Sequence, residues 1–232
     1  MDLTSRFFTN EDAHGDHLIL PLPPAWWSRP YEYTWAKQYT GKEFTVLDAA
    51  CGLEHPFKCY LVNTCKEVFA CDIDERILSK EAIIREINAT FGDNAFTLLD
   101  EKQLHGIHYD IASLVKLPYD DGVFDRIFCI SVIEHLKDFF NRHPGIPSTR
   151  FLRLFFRHEI RTSLCEFRRT LKDDGLIILT LDYPDVNLSY LSGVIQSIGL
   201  SFAGPVDTVL PPNALYSEKM KLWCFRAILS KQ

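Results

Sequence analysis

Short apolar runs alternate with longer amphipathic segments through most of this sequence. Runs of this length, rich in Val, Ile, Leu and Phe, are typical of strands that are buried on both faces of a parallel sheet. The pattern predicts strands at 44–48, 67–72, 107–112, 125–132 and 176–181, with two more near 205–210 and 222–229.

Segments with apolar residues at helical spacing separate these strands. Asp74 stands where an N-cap residue belongs, and apolar side chains follow at positions 77, 78, 83, 84 and 87. Further helices are predicted at 57–65, at 151–171 after a cap at Ser148 or Thr149, and at 188–199, which ends at Gly199. Strands that alternate with helices predict a doubly wound α/β fold with a mostly parallel sheet.

We expect residues 1–40 to form an aromatic-rich arm or lid ahead of an α/β domain at 41–232. The prolines in the stretch PLPPAWWSRPYEYTWA exclude a regular helix at its start. The arm either packs across a sheet edge or core patch, or closes over a ligand that its aromatic side chains bury and orient. As a lid it would supply an acceptor pocket with Trp27, Arg29, Tyr31 and Tyr33, with Arg29 meeting a cofactor carboxylate or an anionic acceptor.

Composition and charge exclude several classes of protein and several kinds of partner. Hydrophobic residues make up 47% of the chain and charged residues 24%, which excludes a disordered chain and a simple coiled coil. The net charge of −6 makes nucleic acid an unlikely partner, because phosphate contacts need a positive surface. No apolar run reaches the length of about 18 residues that a membrane span requires, so we expect no membrane partner.

The cysteines and histidines indicate no metal site. None of the seven cysteines forms a C-x-x-C pair, and several lie in apolar runs, which predicts buried thiols in a reducing, cytoplasmic compartment. His14 and His17, like His105 and His108, are three positions apart, but no cysteine or carboxylate cluster completes a ligand set.

Polar and small residues follow the first two predicted strands, where ligands bind in open α/β sheets. Small residues from Asp48 to Gly52 allow either a close approach of ligand to backbone or only a tight turn. Asp72 follows the second strand and can accept hydrogen bonds from two ribose hydroxyls. Helix capping is the alternative, but Asp74 is better placed for it, which leaves Asp72 without an evident structural role.

Two ionisable residues, Glu134 and His135, follow the apolar run at 125–132. Their position at the ligand edge of the sheet indicates a functional site. The alternative is a helix start, where Glu134 would gain only a fraction of a kcal/mol, about 0.3–1, from the helix dipole.

Four motifs together resemble, in the same order, those of the class I S-adenosylmethionine-dependent methyltransferases. They are VLDAACG, VFACDID, LPYDDGVFDRIFCISVIEHL and FRRTLKDDGLIILTLDYP, and they cover about residues 44–185. The resemblance implies a Rossmann-like sheet of seven strands with the last strand antiparallel, for which KLWCFRAIL is a match. It also implies S-adenosylmethionine as cofactor and methyl transfer to an acceptor. The compact chain, the aromatic arm and the lack of a basic surface run favour an oxygen or nitrogen atom of a small molecule as that acceptor.

The resemblance also assigns cofactor contacts to residues of this sequence. Asp48, Ala50, Cys51 and Gly52 would line the methionine part, with Ser131 beside it. Asp72 would bind the ribose, and Ile73 would pack on the adenine. Ser113 and the backbone of Leu114 would meet the adenine amine, or Asp110 would do so if the loop is longer.

The sequence departs from the family pattern at three places, of which the first two keep other functions open and the third is harmless to the turn. The usual three alternating glycines appear as Ala50, Gly52 and Glu54, and Pro56 then indicates a differently shaped loop. Ser113 replaces an acid, and Asp173-Asp174 replaces Pro-Gly in the late turn. A catalytically inactive binding or scaffold protein of this fold is therefore the alternative. A nicotinamide-dependent oxidoreductase is a weaker one, because such folds lack the third motif.

Methyl transfer is a direct displacement at a sulfonium methyl, so the protein mainly positions and desolvates the reactants. If the acceptor arrives protonated, His135 is the candidate base, because an imidazole titrates near neutral pH. Glu134 would orient it or bind the cofactor side. Asp182 and Tyr183 would face the acceptor, with the loops at 137–150 and 205–220 bordering the pocket.

We expect Asp72→Ala to weaken S-adenosylmethionine binding tenfold or more, in keeping with about 1.5–3 kcal/mol for hydrogen bonds to a charged group. Isothermal titration calorimetry on the folded variant measures this. Unchanged affinity would refute the ribose assignment.

Overall fold

The computed structural model describes residues 2–137 and 149–232. Nine strands of this part of the chain form a single mixed sheet. In chain order they are β1 (Arg6–Phe7), β2 (Thr45–Ala49), β3 (Glu67–Asp72), β4 (Ile107–Ile111), β5 (Phe124–Ile130), β6 (Leu171–Tyr183), β7 (Leu200–Phe202), β8 (Tyr216–Ser217) and β9 (Leu222–Lys231). From one edge of the sheet to the other, seven of these strands follow the order β1-β9-β6-β5-β2-β3-β4.

Helices cover both faces of this sheet. They are α1 (Arg29–Ala36), α2 (Phe57–Thr64), α3 (Lys80–Phe91), α4 (Glu101–His105), α5 (Thr149–Thr170) and α6 (Leu188–Ser197), with 3₁₀ helices at Lys37–Tyr39, Glu75–Leu78, Ala95–Leu98 and Ile133–Lys137. Alternate strand residues point into two cores, with Val46 and Phe128 on the side of α1, α2 and α3. Leu47 and Ile127 point to the side of α5 and α6. The predicted doubly wound α/β class is confirmed.

In the sheet, the neighbouring strands β6, β5, β2, β3 and β4 are parallel. β9 is antiparallel to β6, as the family resemblance implied. The sheet has nine strands rather than the expected seven, because three short strands share the outer edge of β9 and add to six longer ones. β8 pairs with its first residues, β1 with Phe225 and Arg226, and β7 with its last residues. Residues before α1 thus belong to the sheet.

The strand predicted near 205–210 is wrong. Chain reversal occurs earlier, at Gly199, and the short β7 follows it directly. Residues 205–210 are exposed, and Val206 forms an isolated bridge to Ser5. The remaining predicted strands match the observed ones to within a few residues at each end.

The helix predicted after Asp74 begins later than expected. Asp74 caps a 3₁₀ turn by accepting a hydrogen bond from Arg76 N–H. Ser79 then caps α3 by accepting a hydrogen bond from Ala82 N–H at 3.2 Å. Ser148, the other proposed cap, and most of the loop predicted at 137–150 lie outside the described residues. α1 was not predicted, because its proline argued against a helix, but Pro30 lies in the first turn, where no hydrogen bond is lost.

All seven cysteines are unpaired, and six of them are buried. Within residues 2–137 and 149–232, every helix is too short or too polar to span a lipid bilayer.

Candidate active site

A cavity of about 370 Å³ opens at the carboxyl ends of β2 and β5. This is the edge at which parallel α/β sheets bind ligands. Its lining comes from the two strand ends, the loop before α2, and α1: Arg29, Tyr33, Asp48, Ala50, Cys51, Gly52, Glu54, His55, Phe57, Ile130, Ser131, Val132 and His135. The structure therefore brings together eight of the residues singled out in the sequence.

The backbone around the cavity adopts left-handed conformations at both strand ends. After β2, Ala50 has φ of 55° and Gly52 has φ of 58°, and after β5, Ser131 has φ of 47°. Such conformations are costly for residues other than glycine and cluster at functional sites. Gly52 is also required for space, because a Cβ there would lie 2.7 Å from Cδ2 of His55.

Helix α1 forms the wall of the cavity opposite the strand ends. Its Glu32 is fully buried, and Oε1 accepts hydrogen bonds from Ser131 Oγ at 2.6 Å and from Thr180 Oγ1 at 2.5 Å. The other oxygen, Oε2, accepts a hydrogen bond from Arg29 Nη1. These contacts fix α1 across β5 and β6 and place Arg29 and Tyr33 in the cavity.

His55 is a cavity residue that the sequence analysis did not single out. Its Nδ1 lies 2.9 Å from the Tyr33 hydroxyl, and the Trp26 ring packs on the imidazole with centroids 4.4 Å apart. Burial holds the pKa of His55 well below its usual range, with the positive charges of Arg29 and Lys58 adding to the effect. The imidazole is therefore neutral and hydrogen-bonded in the cavity wall.

Comparisons with known proteins agree with this geometry. Residues 47–142 match the family model described as a methyltransferase domain. This match covers 96 of the 232 residues and, with the parallel sheet, supports a class I S-adenosylmethionine-dependent methyltransferase. No curated protein sequence matches the chain.

Solved structures show the same fold at low sequence identity. A methyltransferase from Methanosarcina mazei is 15% identical with a TM-score of 0.53, over 85% of this chain and 96% of that one. One from Aquifex aeolicus is 16% identical with a TM-score of 0.52, over 87% and 92%. The [4+2]-cyclase SpnF is 11% identical with a TM-score of 0.56, over 97% and 86%. At these identities, the likeness shows the fold alone.

S-adenosylmethionine is the cofactor of this methyltransferase, and the cavity offers chemistry that suits its methionine half. Asp48 supplies a carboxylate and Arg29 a guanidinium, the partners for an ammonium and a carboxylate. The residues proposed for the nucleoside half lie beside the cavity rather than in its lining. Ile73 is 61% exposed and Ser113 is exposed, whereas Leu114 is buried.

Asp72 has a structural role that the sequence analysis did not recognise. Its Oδ2 accepts a hydrogen bond from Gly52 N–H at 2.9 Å, and its Oδ1 accepts one from Asp74 N–H at 3.0 Å. The carboxylate thus links the end of β3 to the loop after β2. The ribose assignment stays a prediction.

The proposed catalytic pair is split by the structure. His135 is exposed and lines the cavity, whereas Glu134 is fully buried and outside its lining. Burial, together with the nearby Asp182 and Glu32 carboxylates, raises the pKa of Glu134 well above its usual range. Neither Glu134 oxygen has a hydrogen-bond partner within the described part of the chain. Glu134 is therefore a buried carboxyl group whose environment favours the protonated form.

The other proposed acceptor residues lie outside the cavity lining. Asp182, at the end of β6, is buried, and burial together with the Glu32 charge raises its pKa to about 6. The Tyr183 ring packs on Phe7 with centroids 5.4 Å apart. Trp27 is half-buried against the core, and Tyr31 stacks on His14.

The buried Asp48 carboxyl predicts a pH dependence of stability. Burial raises its pKa to about 7, the Asp72 charge adds to this, and Lys58 opposes it. Because the folded protein holds this proton more tightly than the unfolded chain, the free energy of unfolding falls as pH rises from about 4 to 7 and then levels off. We expect the Tm increase that Asp48→Asn causes in the ligand-free protein to be larger at pH 8 than at pH 5. The two increases should differ by at least about 2 °C.

Thermal unfolding at the two pH values measures this difference. Asp93→Asn, at an exposed position, is the matched control and should show no such difference. An equal Tm change at both pH values for Asp48→Asn would contradict the interpretation.

Proposed function

We propose that this methyltransferase transfers the methyl group of S-adenosylmethionine to an oxygen or nitrogen atom of a small molecule, such as a metabolite, natural product or glycan intermediate. The main support is that α1 closes one side of the cavity. Arg29 and Tyr33 from α1 line the same space of about 370 Å³ as the loop after β2. A space of this size, bounded by a helix held at Glu32, suits a small acceptor better than a macromolecular surface.

Roles for the cavity residues follow from their chemistry. The Asp48 carboxylate is proposed to bind the ammonium of the cofactor's methionine half, and Arg29 its carboxylate. Ala50, Cys51 and Gly52 would allow close approach of the backbone. The proposed nucleoside contacts follow the ends of the next two strands: Asp72, Ile73, Ser113 and Leu114.

The cofactor supplies an activated methyl group on a sulfonium, which a nucleophile displaces directly. The protein's part is to align the acceptor and to exclude water. His135 lines the cavity and is the proposed base for an acceptor that arrives protonated. Asp182 lies close enough for the charge of His135 to oppose the rise in its pKa, so the two side chains are neighbours at the ends of β5 and β6.

A direct test combines binding and turnover. Calorimetric titration with S-adenosylhomocysteine measures occupancy of the cavity, and mass spectrometry detects a gain of 14 Da, about one methylene, in acceptors incubated with S-adenosylmethionine. Binding together with a methylated small molecule supports the proposal. Absence of binding at millimolar concentration favours the alternative, an inactive binding or scaffold protein of this fold.

His135→Ala tests the role of the proposed base. We expect kcat to fall by about 10²–10⁴-fold, the usual contribution of a general base, with little change in cofactor affinity. Turnover assays and calorimetry on the same preparation separate the two effects. His158→Ala, at an exposed position on α5, is the control. If turnover survives in His135→Ala, positioning alone suffices for the reaction.

A further inference from the structure

Lys58 is a fully buried lysine in the first turn of α2, directly after the loop that lines the cavity. Its Nζ donates hydrogen bonds to three carbonyl oxygens of that loop: Gly52 at 2.7 Å, Leu53 at 3.0 Å and His55 at 2.6 Å. An ammonium group has three donors, so every one of them is used.

This position is unfavourable for a lysine unless the contacts compensate. A positive charge near a helix N-terminus opposes the helix dipole, and removal of an ammonium from water is costly unless its donors are paired. The three carbonyl groups provide that compensation. They tie α2 to the loop at 52–55, so the shape of the loop depends on the charged side chain.

The loop departs from the family pattern at the position that Lys58 supports. Glu54 stands where the resemblance has a third glycine, between the bonded carbonyl groups of Leu53 and His55. Glycines let a loop turn sharply without help from side chains. Here the buried ammonium gathers the carbonyl oxygens of the loop around one point.

We propose that Lys58 is a positioning residue that holds the loop at 52–55 in the shape that receives the methionine half of S-adenosylmethionine. This inference rests on the proposed use of the cavity as the cofactor site. The loop carbonyl groups at Gly52, Leu53 and His55 are directed to Lys58. The Asp48 carboxylate, which lines the cavity, is thereby left to accept from the cofactor's own ammonium.

Lys58→Met tests the proposal, because methionine has a similar length but no donor. S-adenosylhomocysteine carries the methionine half and 5′-methylthioadenosine lacks it. We expect the variant to bind S-adenosylhomocysteine at least tenfold more weakly and 5′-methylthioadenosine within twofold of wild type, both measured by calorimetry. Lys66→Met, at an exposed position near the end of α2, is the control and should bind both as wild type does.

Equal losses for both ligands, or no loss for either, would overturn the positioning role. If Lys58→Met does not fold, NMR of wild-type protein labelled with ¹⁵N at lysine Nζ decides. We expect one slowly exchanging ammonium signal that shifts with S-adenosylhomocysteine and not with 5′-methylthioadenosine, and its absence would overturn the inference. A wild-type protein that binds neither ligand would instead reject the proposed function, and this inference with it.

Discussion

A single carboxylate removed from water, that of Glu32, holds the N-terminal helix against the ends of two sheet strands. Burial alone would raise the pKa of Glu32, but the Arg29 charge and the hydroxyls of Ser131 and Thr180 outweigh it and lower the pKa. Glu32 therefore remains ionised, and its hydrogen bonds join residues 99 and 148 positions apart in the chain. Without this contact, the cavity would have an open side instead of a wall with Arg29 and Tyr33.

The electrostatics of the site divide into two parts. On one side, the Arg29–Glu32 pair is ionised and satisfied. On the other, burial raises the pKa of Asp48 and of Asp182 into the neutral range. Carboxyl groups shifted in this way reduce the stability of the folded protein, and such groups cluster where a ligand or reaction uses them. The arrangement is that of a site rather than of an ordinary core.

Much of the fold follows from local sequence pattern. The strand at 67–72 was predicted with its observed bounds, because a short apolar run between a helix and a turn has few other interpretations. The ligand edge of the sheet followed from topology, which directed attention to Asp48, Gly52 and His135, now found in one cavity. The strand wrongly predicted at 205–210 shows the limit of local sequence pattern. A segment with valines at strand-like positions forms no strand unless a sheet edge is available to pair with it.

The residues missed in the sequence depend on contacts between distant segments. Glu32 looks like an ordinary polar residue in an aromatic stretch, and only its contact with Thr180 reveals its role. His55 and Lys58 have no spacing signal of their own. A lysine next to an unusual glycine loop, with a glutamate at a glycine position, is the one local clue to Lys58.

The shared outer edge of β9 has a consequence for the order in which the molecule assembles. Ser5 Oγ accepts a hydrogen bond from Ile228 N–H across 223 positions of sequence, and β1 pairs with β9. During synthesis, the first residues must wait for the last strand to leave the ribosome, and pairings of such long range form slowly. The N-terminal strand thus joins the sheet late, after the parallel strands from β2 to β6 have had time to fold.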